Sequence, residues 1–182
     1  MIGSLKVKNF FYLFFFNFYL NQKANNFFIN DNGTQISLLQ LLDNGYINVY
    51  SENNIINTDL SISNTSYDIK ASYALFDSKK FSYTNINNII SITYFGVSQI
   101  YKFNMHFRIS SSQTINGIIF IQKNSNIVPN GKYIFQTVSD TEFSGFLCGL
   151  INLNTNDVIS LKINAENTGS VLVSDIGLVL TN

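Results

Sequence analysis

Ile100–Ser110 reads IYKFNMHFRIS. Tyr101, Phe103, Met105, Phe107 and Ile109 alternate with Lys102, Asn104, His106, Arg108 and Ser110. Successive side chains of a strand point to opposite faces, so this register makes one apolar and one polar face. Strict alternation is the primary sequence signal of a half-buried strand. The segment is read as one strand of a sheet with its core on one side.

Outward from it, strand signals recur at Ile69–Leu75, Ile89–Tyr94, Ile115–Gln122, Tyr133–Val138, Phe143–Leu153, Val158–Ile163 and Val171–Leu180. Turn groups separate them at Asn124-Ser125-Asn126, Pro129-Asn130-Gly131, Asn154–Asp157 and Glu166–Gly169. Asn and Gly serve in turns because they tolerate left-handed backbone angles. About eight strands at this spacing predict an all-β, jelly-roll sandwich over residues 67–182.

Residues 1–66 follow other patterns. Phe10–Leu20 (FFYLFFFNFYL) is almost wholly aromatic or aliphatic, with Lys6, Lys8 and Lys23 around it. It is shorter than the roughly 20 apolar residues of a spanning helix, and Asn21–Asn25 offers no small-x-small cleavage site. Three readings stand: an arm buried against a partner or another subunit, a strand of the domain itself, or a targeting or membrane segment. Under the first, residues 1–30 form an apolar N-terminal arm. Its anchoring residues are then Phe10, Phe11, Tyr12, Phe14, Phe15, Phe16, Phe18 and Tyr19. Residues 31–66 read as a connector. It holds a short helix over Gln35–Leu42, stopped by Asn44-Gly45, and brief strands around Tyr46–Tyr50 and Asp59–Ile62.

Composition narrows the function. The 182 residues carry zero formal net charge, with only 12% charged residues, about half the usual share. That balance does not attract nucleic acid or an anionic membrane. About one residue in seven is Asn, and Arg108 is the only Arg. Asn, Ile, Lys, Phe and Tyr all have AT-rich codons, which points to an AT-rich genome. The 17 Phe and 10 Tyr supply ample core.

No catalytic residue is identified. The one histidine, His106, excludes His-based triads and multi-His metal sites within a chain, and its place on a polar strand face makes it a solvated or interface residue. No P-loop, GxGxxG or GxSxG motif occurs, and no cofactor is expected. Cys148, the single Cys, lies in the apolar run Phe146–Ile151 and is expected to be a small buried hydrophobe.

Three segments in order resemble the jelly roll of the tumour necrosis factor family and the complement-type globular head. Gln99–Phe107 looks like that family's strand of alternating Tyr, Phe and aromatic residues. Gly149–Ile163 (GLINLNTNDVISLKI) is similar to its paired strands around an Asn-Asp turn, and Val171–Leu180 (VLVSDIGLVL) resembles its closing strand. The resemblance implies a compact homotrimer packed through one sheet of each head. Tyr101, Phe103, Phe107, Tyr133 and Phe143 become candidates for core or trimer interface. Heads of this type on an AT-rich, Asn-rich chain resemble capsid-surface proteins and fibre heads of large DNA viruses and tailed phages. The expectation is a non-enzymatic virion protein on the capsid surface, bound to other virion proteins through residues 1–30 and facing a host glycan or surface protein. The alternative is a secreted or cell-surface bacterial binding module with an atypical export signal.

Overall fold

The computed structural model describes Phe28–Asp31, Thr34–Ser37 and residues 45–182. The chain divides into two compact units, Met1–Asp43 and Asn44–Asn182. The anchoring candidates Phe10 to Tyr19 lie outside the described residues.

In the first unit, β1 (Phe28–Asp31) pairs antiparallel with β2 (Thr34–Ser37), with Asp31 opposite Thr34. The helix expected from Gln35 is therefore corrected: Gln35–Ser37 is strand, and the rest of that stretch lies outside the described residues. Asn32-Gly33 between two strand-like runs is hairpin chemistry, and it outweighs the helical spacing of a short apolar run.

The second unit is a sandwich of two six-stranded antiparallel sheets. Its strands are β3 (Tyr46–Ser51), β4 (Asn57–Leu60), β5 (Ser66–Asp68), β6 (Ala74–Lys79), β7 (Phe81–Ile86) and β8 (Ile89–Tyr94), followed by β9 (Gln99–Ser110), β10 (Asn116–Lys123), β11 (Asn126–Gln136), β12 (Phe143–Leu153), β13 (Val158–Ala165) and β14 (Gly169–Thr181). Sheet I runs β12-β9-β14-β3-β6, with β4 also beside β14. Sheet II runs β11-β10-β13-β8-β7, with β5 also beside β13. The chain crosses repeatedly between the sheets, which is jelly-roll wiring. Two strands of the expected connector, β3 and β4, pair with β14 inside this unit.

The alternating strand behaves as its pattern demands. Tyr101, Phe103, Met105, Phe107 and Ile109 are all buried, while Lys102, His106 and Arg108 are exposed. Facing them from sheet II are Ile119, Ile121, Ile159, Leu161 and Ile163, also buried. Burying each such side chain contributes on the order of 1.5–3 kcal/mol. At one end Phe81, Tyr94 and Tyr101 form a ring cluster with centroids 5.0–5.3 Å apart.

Two glycines make room for two of the rings. Gly145 lies opposite Phe107 and Gly149 opposite Phe103. A Cβ on Gly145 would sit 2.2 Å from Phe107 Cζ, and one on Gly149 2.6 Å from Phe103 Cζ. The phenyl rings thus spread over the β12 backbone.

Three local expectations change. Ile69–Leu75 is not one strand, because the chain passes there from β5 in sheet II to β6 in sheet I. Ile69, Ala71 and Tyr73 still alternate inward, held by single contacts such as Ile69 N–H to the Leu161 carbonyl at 3.0 Å. Pro129-Asn130-Gly131 is not a chain reversal but lies within β11, opposite a register shift in β10 between Phe120 and Gln122. An edge strand tolerates Pro and a bulge, and Asn130 takes the left-handed angle (φ 60°). The strand Phe81–Ile86 was not anticipated. Asn87 and Asn88, both left-handed, close its two-residue hairpin with β8. No helix occurs among the described residues of either unit.

Candidate interaction face

The solvent side of sheet I is assembled row by row from the strand registers. Phe146 on β12 lies beside His106, His106 beside Gly177, and Gly177 beside Tyr50. The next row is Cys148, Asn104, Val179, Asn48 and Asp77. The third is Leu150, Lys102, Thr181, Tyr46 and Lys79.

Strand β12, FSGFLCGLINL, is the edge of the sheet and carries no charge along its length. Leu147, Ile151 and Leu153 point into the core, yet the opposite face is also apolar: Phe146 is 56% exposed and Leu150 64%. Ile100, at the start of the neighbouring strand, is 59% exposed. Cys148 is exposed on this face, which corrects its expected burial; its even position in β12 puts it opposite Leu147.

The His106 ring leans over β14. A Cβ on Gly177 would meet its Cε1 at 2.1 Å and its Nε2 at 2.6 Å, so the imidazole lies flat on the Gly177 backbone. Farther up the face, Arg108 reaches two carboxylates: Nε is 3.1 Å from Asp175 Oδ2 and Nη1 3.0 Å from Glu142 Oε1. At the other margin the Tyr46 hydroxyl donates to Asp77 Oδ2 at 2.7 Å. That hydrogen bond, with some desolvation and the Asp77 charge, holds the phenol above its ordinary value.

Asp175 occupies a bulge. Between the pairs Arg108–Ser174 and His106–Gly177, one residue of β9, Phe107, faces two of β14, Asp175 and Ile176. The extra residue lets Val171 and Val173 point inward on one side, and Ile176, Leu178 and Leu180 on the other. Asp175 takes a left-handed angle (φ 46°) and accepts a hydrogen bond from Asn53 N–H at 3.2 Å.

The sequence-selected residues divide. Tyr101, Phe103 and Phe107 lie in the core between the sheets. Tyr133 packs against that core, edge-on to Phe107 at 5.4 Å. Phe143 is partly exposed at the start of β12, opposite Ile109. The outward residues Phe146, Leu150 and Ile100 were not selected. Their signal was available: β12 is apolar on both alternating faces, unlike β9. Among the described residues no group of three or more His, Cys, Asp and Glu could hold a metal ion. Among the described residues no helix is long and apolar enough to cross a membrane.

No protein-family model matches the chain, and no curated protein matches it by sequence. Solved structures do resemble it. Murine APRIL, crystallised at pH 5.0, superposes with a TM-score of 0.54 at 12% identity, over 76% of this chain and 98% of that one. Eiger TNF from S. frugiperda is similar at 10% identity and a TM-score of 0.47, over 76% and 92%. The globular domain of zebrafish complement 1qA is similar at 8% identity and a TM-score of 0.45, over 76% and 95%. With the sheet order above, the likeness to APRIL shows the fold alone: a two-sheet jelly roll like that of APRIL, over 76% of this chain.

Proposed function

We propose that this chain is a non-enzymatic structural protein of a virion whose jelly-roll head assembles as a homotrimer through the solvent side of sheet I. In this reading it sits on the capsid surface as a decoration, minor capsid or fibre-head protein. Residues 1–30 anchor it to other virion proteins, and the head faces a host-surface glycan or protein.

The observation that carries self-association is strand β12. Natural sheet edges are blunted by Lys, Pro, inward charges or covering segments. This edge has eleven residues without charge or Pro, and Phe146 and Leu150 project from it into solvent. Interface cores favour aromatic residues and exclude Lys and Glu. The trimeric state follows the family that the sequence resembles. The virion setting is supported by the AT-rich, Asn-rich composition and the aromatic segment Phe10–Leu20.

Light scattering of the full chain at micromolar concentration tests the assembly. A trimer is expected, and Phe146→Asp with Leu150→Asp should give a folded monomer; a monomeric wild type would refute the assembly. Sequencing the mature N-terminus tests the setting. Met1 or Ile2 retained in an assembled particle supports the anchor, whereas a start near Asn25 supports an exported bacterial module.

A further inference from the structure

We infer that Asn130-Gly131 is a site of spontaneous covalent modification, at which the folded chain converts Asn130 to aspartate and isoaspartate. The inference is independent of how the head assembles. Four residues of β11, Val128 to Gly131, face the single Ile121 of β10. Pro129 followed by a left-handed Asn130 (φ 60°) fits the central pair of a type II turn. A Cβ on Gly131 would sit 3.1 Å from the Val128 carbonyl oxygen, so the bulge closes on itself. Asn130 is exposed, and its side-chain amide has no hydrogen-bond partner among the described residues.

The chemistry needs only the chain and water. The Gly131 amide nitrogen attacks Asn130 Cγ and gives up its proton. The Cγ–Nδ2 bond breaks and ammonia leaves, which closes a succinimide ring. Water then opens the ring at one of two bonds. Breaking the bond from Gly131 N to Cγ leaves an aspartate. Breaking the bond from Gly131 N to the main-chain carbonyl carbon of residue 130 routes the backbone through Cβ, as isoaspartate. The sum exchanges an amide and water for a carboxylic acid and ammonia, with no oxidation or reduction. Glycine obstructs this closure least, because no Cβ stands beside the attacking nitrogen.

Comparable asparagines are held out of this reaction. Asn116-Gly117 is the other Asn-Gly pair wholly within the described residues. Gly117 is paired with Phe135 on one side and Ala165 on the other. Asn116 N–H donates to Asn167 Oδ1 at 3.2 Å, and its carbonyl accepts from Glu166 N–H at 2.9 Å. A Cβ on Gly117 would lie 2.4 Å from the Asn164 carbonyl oxygen, so this strand has no slack to bring nitrogen to Cγ. Asn124, which precedes Ser125 in a left-handed turn, commits its side chain to Asp157 and to Val158 N–H. Asn130 has neither restraint. Its product falls where β11 meets β12, since a Cβ on Gly149 would lie 3.5 Å from Asn130 Cβ. Isoaspartate there adds a backbone carbon and a negative charge beside an uncharged strand.

Peptide mapping by mass spectrometry tests this on the full chain held folded in mildly alkaline buffer, on the same chain unfolded in urea, and on Asn130→Gly. Near-ultraviolet circular dichroism establishes which samples are folded. In the folded chain the peptide spanning Asn130 is expected to be lost progressively to two products. Each carries the mass of one amide-to-acid conversion, while the peptides spanning Asn116 and Asn124 stay intact. In urea Asn116 should convert alongside Asn130, because only the fold separates them. Asn130→Gly, which suits the left-handed position, should remain folded and lack both products. An unmodified Asn130 in the folded chain overturns the inference. So does Asn116 converting there as fast as Asn130, or conversion at Asn130 confined to urea.

Discussion

Arg108 Nε lies 3.1 Å from Asp175 Oδ2, which ties β9 to the bulge that shifts the register of β14. The pair is partly solvent-exposed, so the charge attraction is a minor contribution. The backbone matters more, because φ at Asp175 is 46°, a region that Asn and Asp enter readily and β-branched residues avoid. Asp175→Asn should cost under about 1 kcal/mol, and Asp175→Val about 1–3 kcal/mol. Urea unfolding of the two variants checks the order; equal losses would remove the backbone argument.

The contact of Gly145 with the Phe107 ring predicts a coupled pair. Gly145→Ala should destabilise by about 1–3 kcal/mol, since neither the ring nor the strand can move freely. In a Phe107→Leu background the same change should cost less, because the ring that it strikes is gone. A double-mutant cycle with a coupling of about 1 kcal/mol or more is expected, and additivity would contradict the packing.

Asp157 predicts an acid limb of stability. Burial alone would raise its carboxyl. The Asn154 N–H at 2.8 Å, the Asn124 amide and Lys123 Nζ at 3.2 Å outweigh that and lower it. A depressed carboxyl stabilises the fold above the unfolded chain's value, near pH 4. That contribution is lost as pH falls through the folded value. Asp157→Ala should therefore lose about 1–2 kcal/mol at neutral pH, and its deficit against wild type should shrink below about pH 4. Thermal melts across this range measure it.

Ser51 predicts a gain. Its side chain is 1% exposed and its Oγ has no hydrogen-bond partner among the described residues. An unsatisfied buried hydroxyl costs about 1–3 kcal/mol. Ser51→Ala should leave stability unchanged or raise it by about 1 kcal/mol, read as a rise in melting temperature.

Much of this architecture was legible before any coordinates. The inward and outward sets of β9 and the bounds of β12 follow from period-two alternation, which depends only on each strand's own pleat. Legibility failed where a segment changes sheet, as Ile69–Tyr73 does, or where a bulge absorbs turn-like residues, as at Asn130. It failed at Gln35 because a four-residue strand is held by its partner rather than by its own spacing.

By itself the sequence determined which chain segments are strands with a dry side, and that Asn, Gly and Asp punctuate them. Both are local properties of side-chain direction and backbone angle. Only the tertiary structure decided that β12 is an edge, that Phe146 stands beside His106, and that His106 rests on Gly177 from a strand 71 positions away in the chain. Those neighbours are set by long-range strand pairing, and alternation within one strand does not specify its partner.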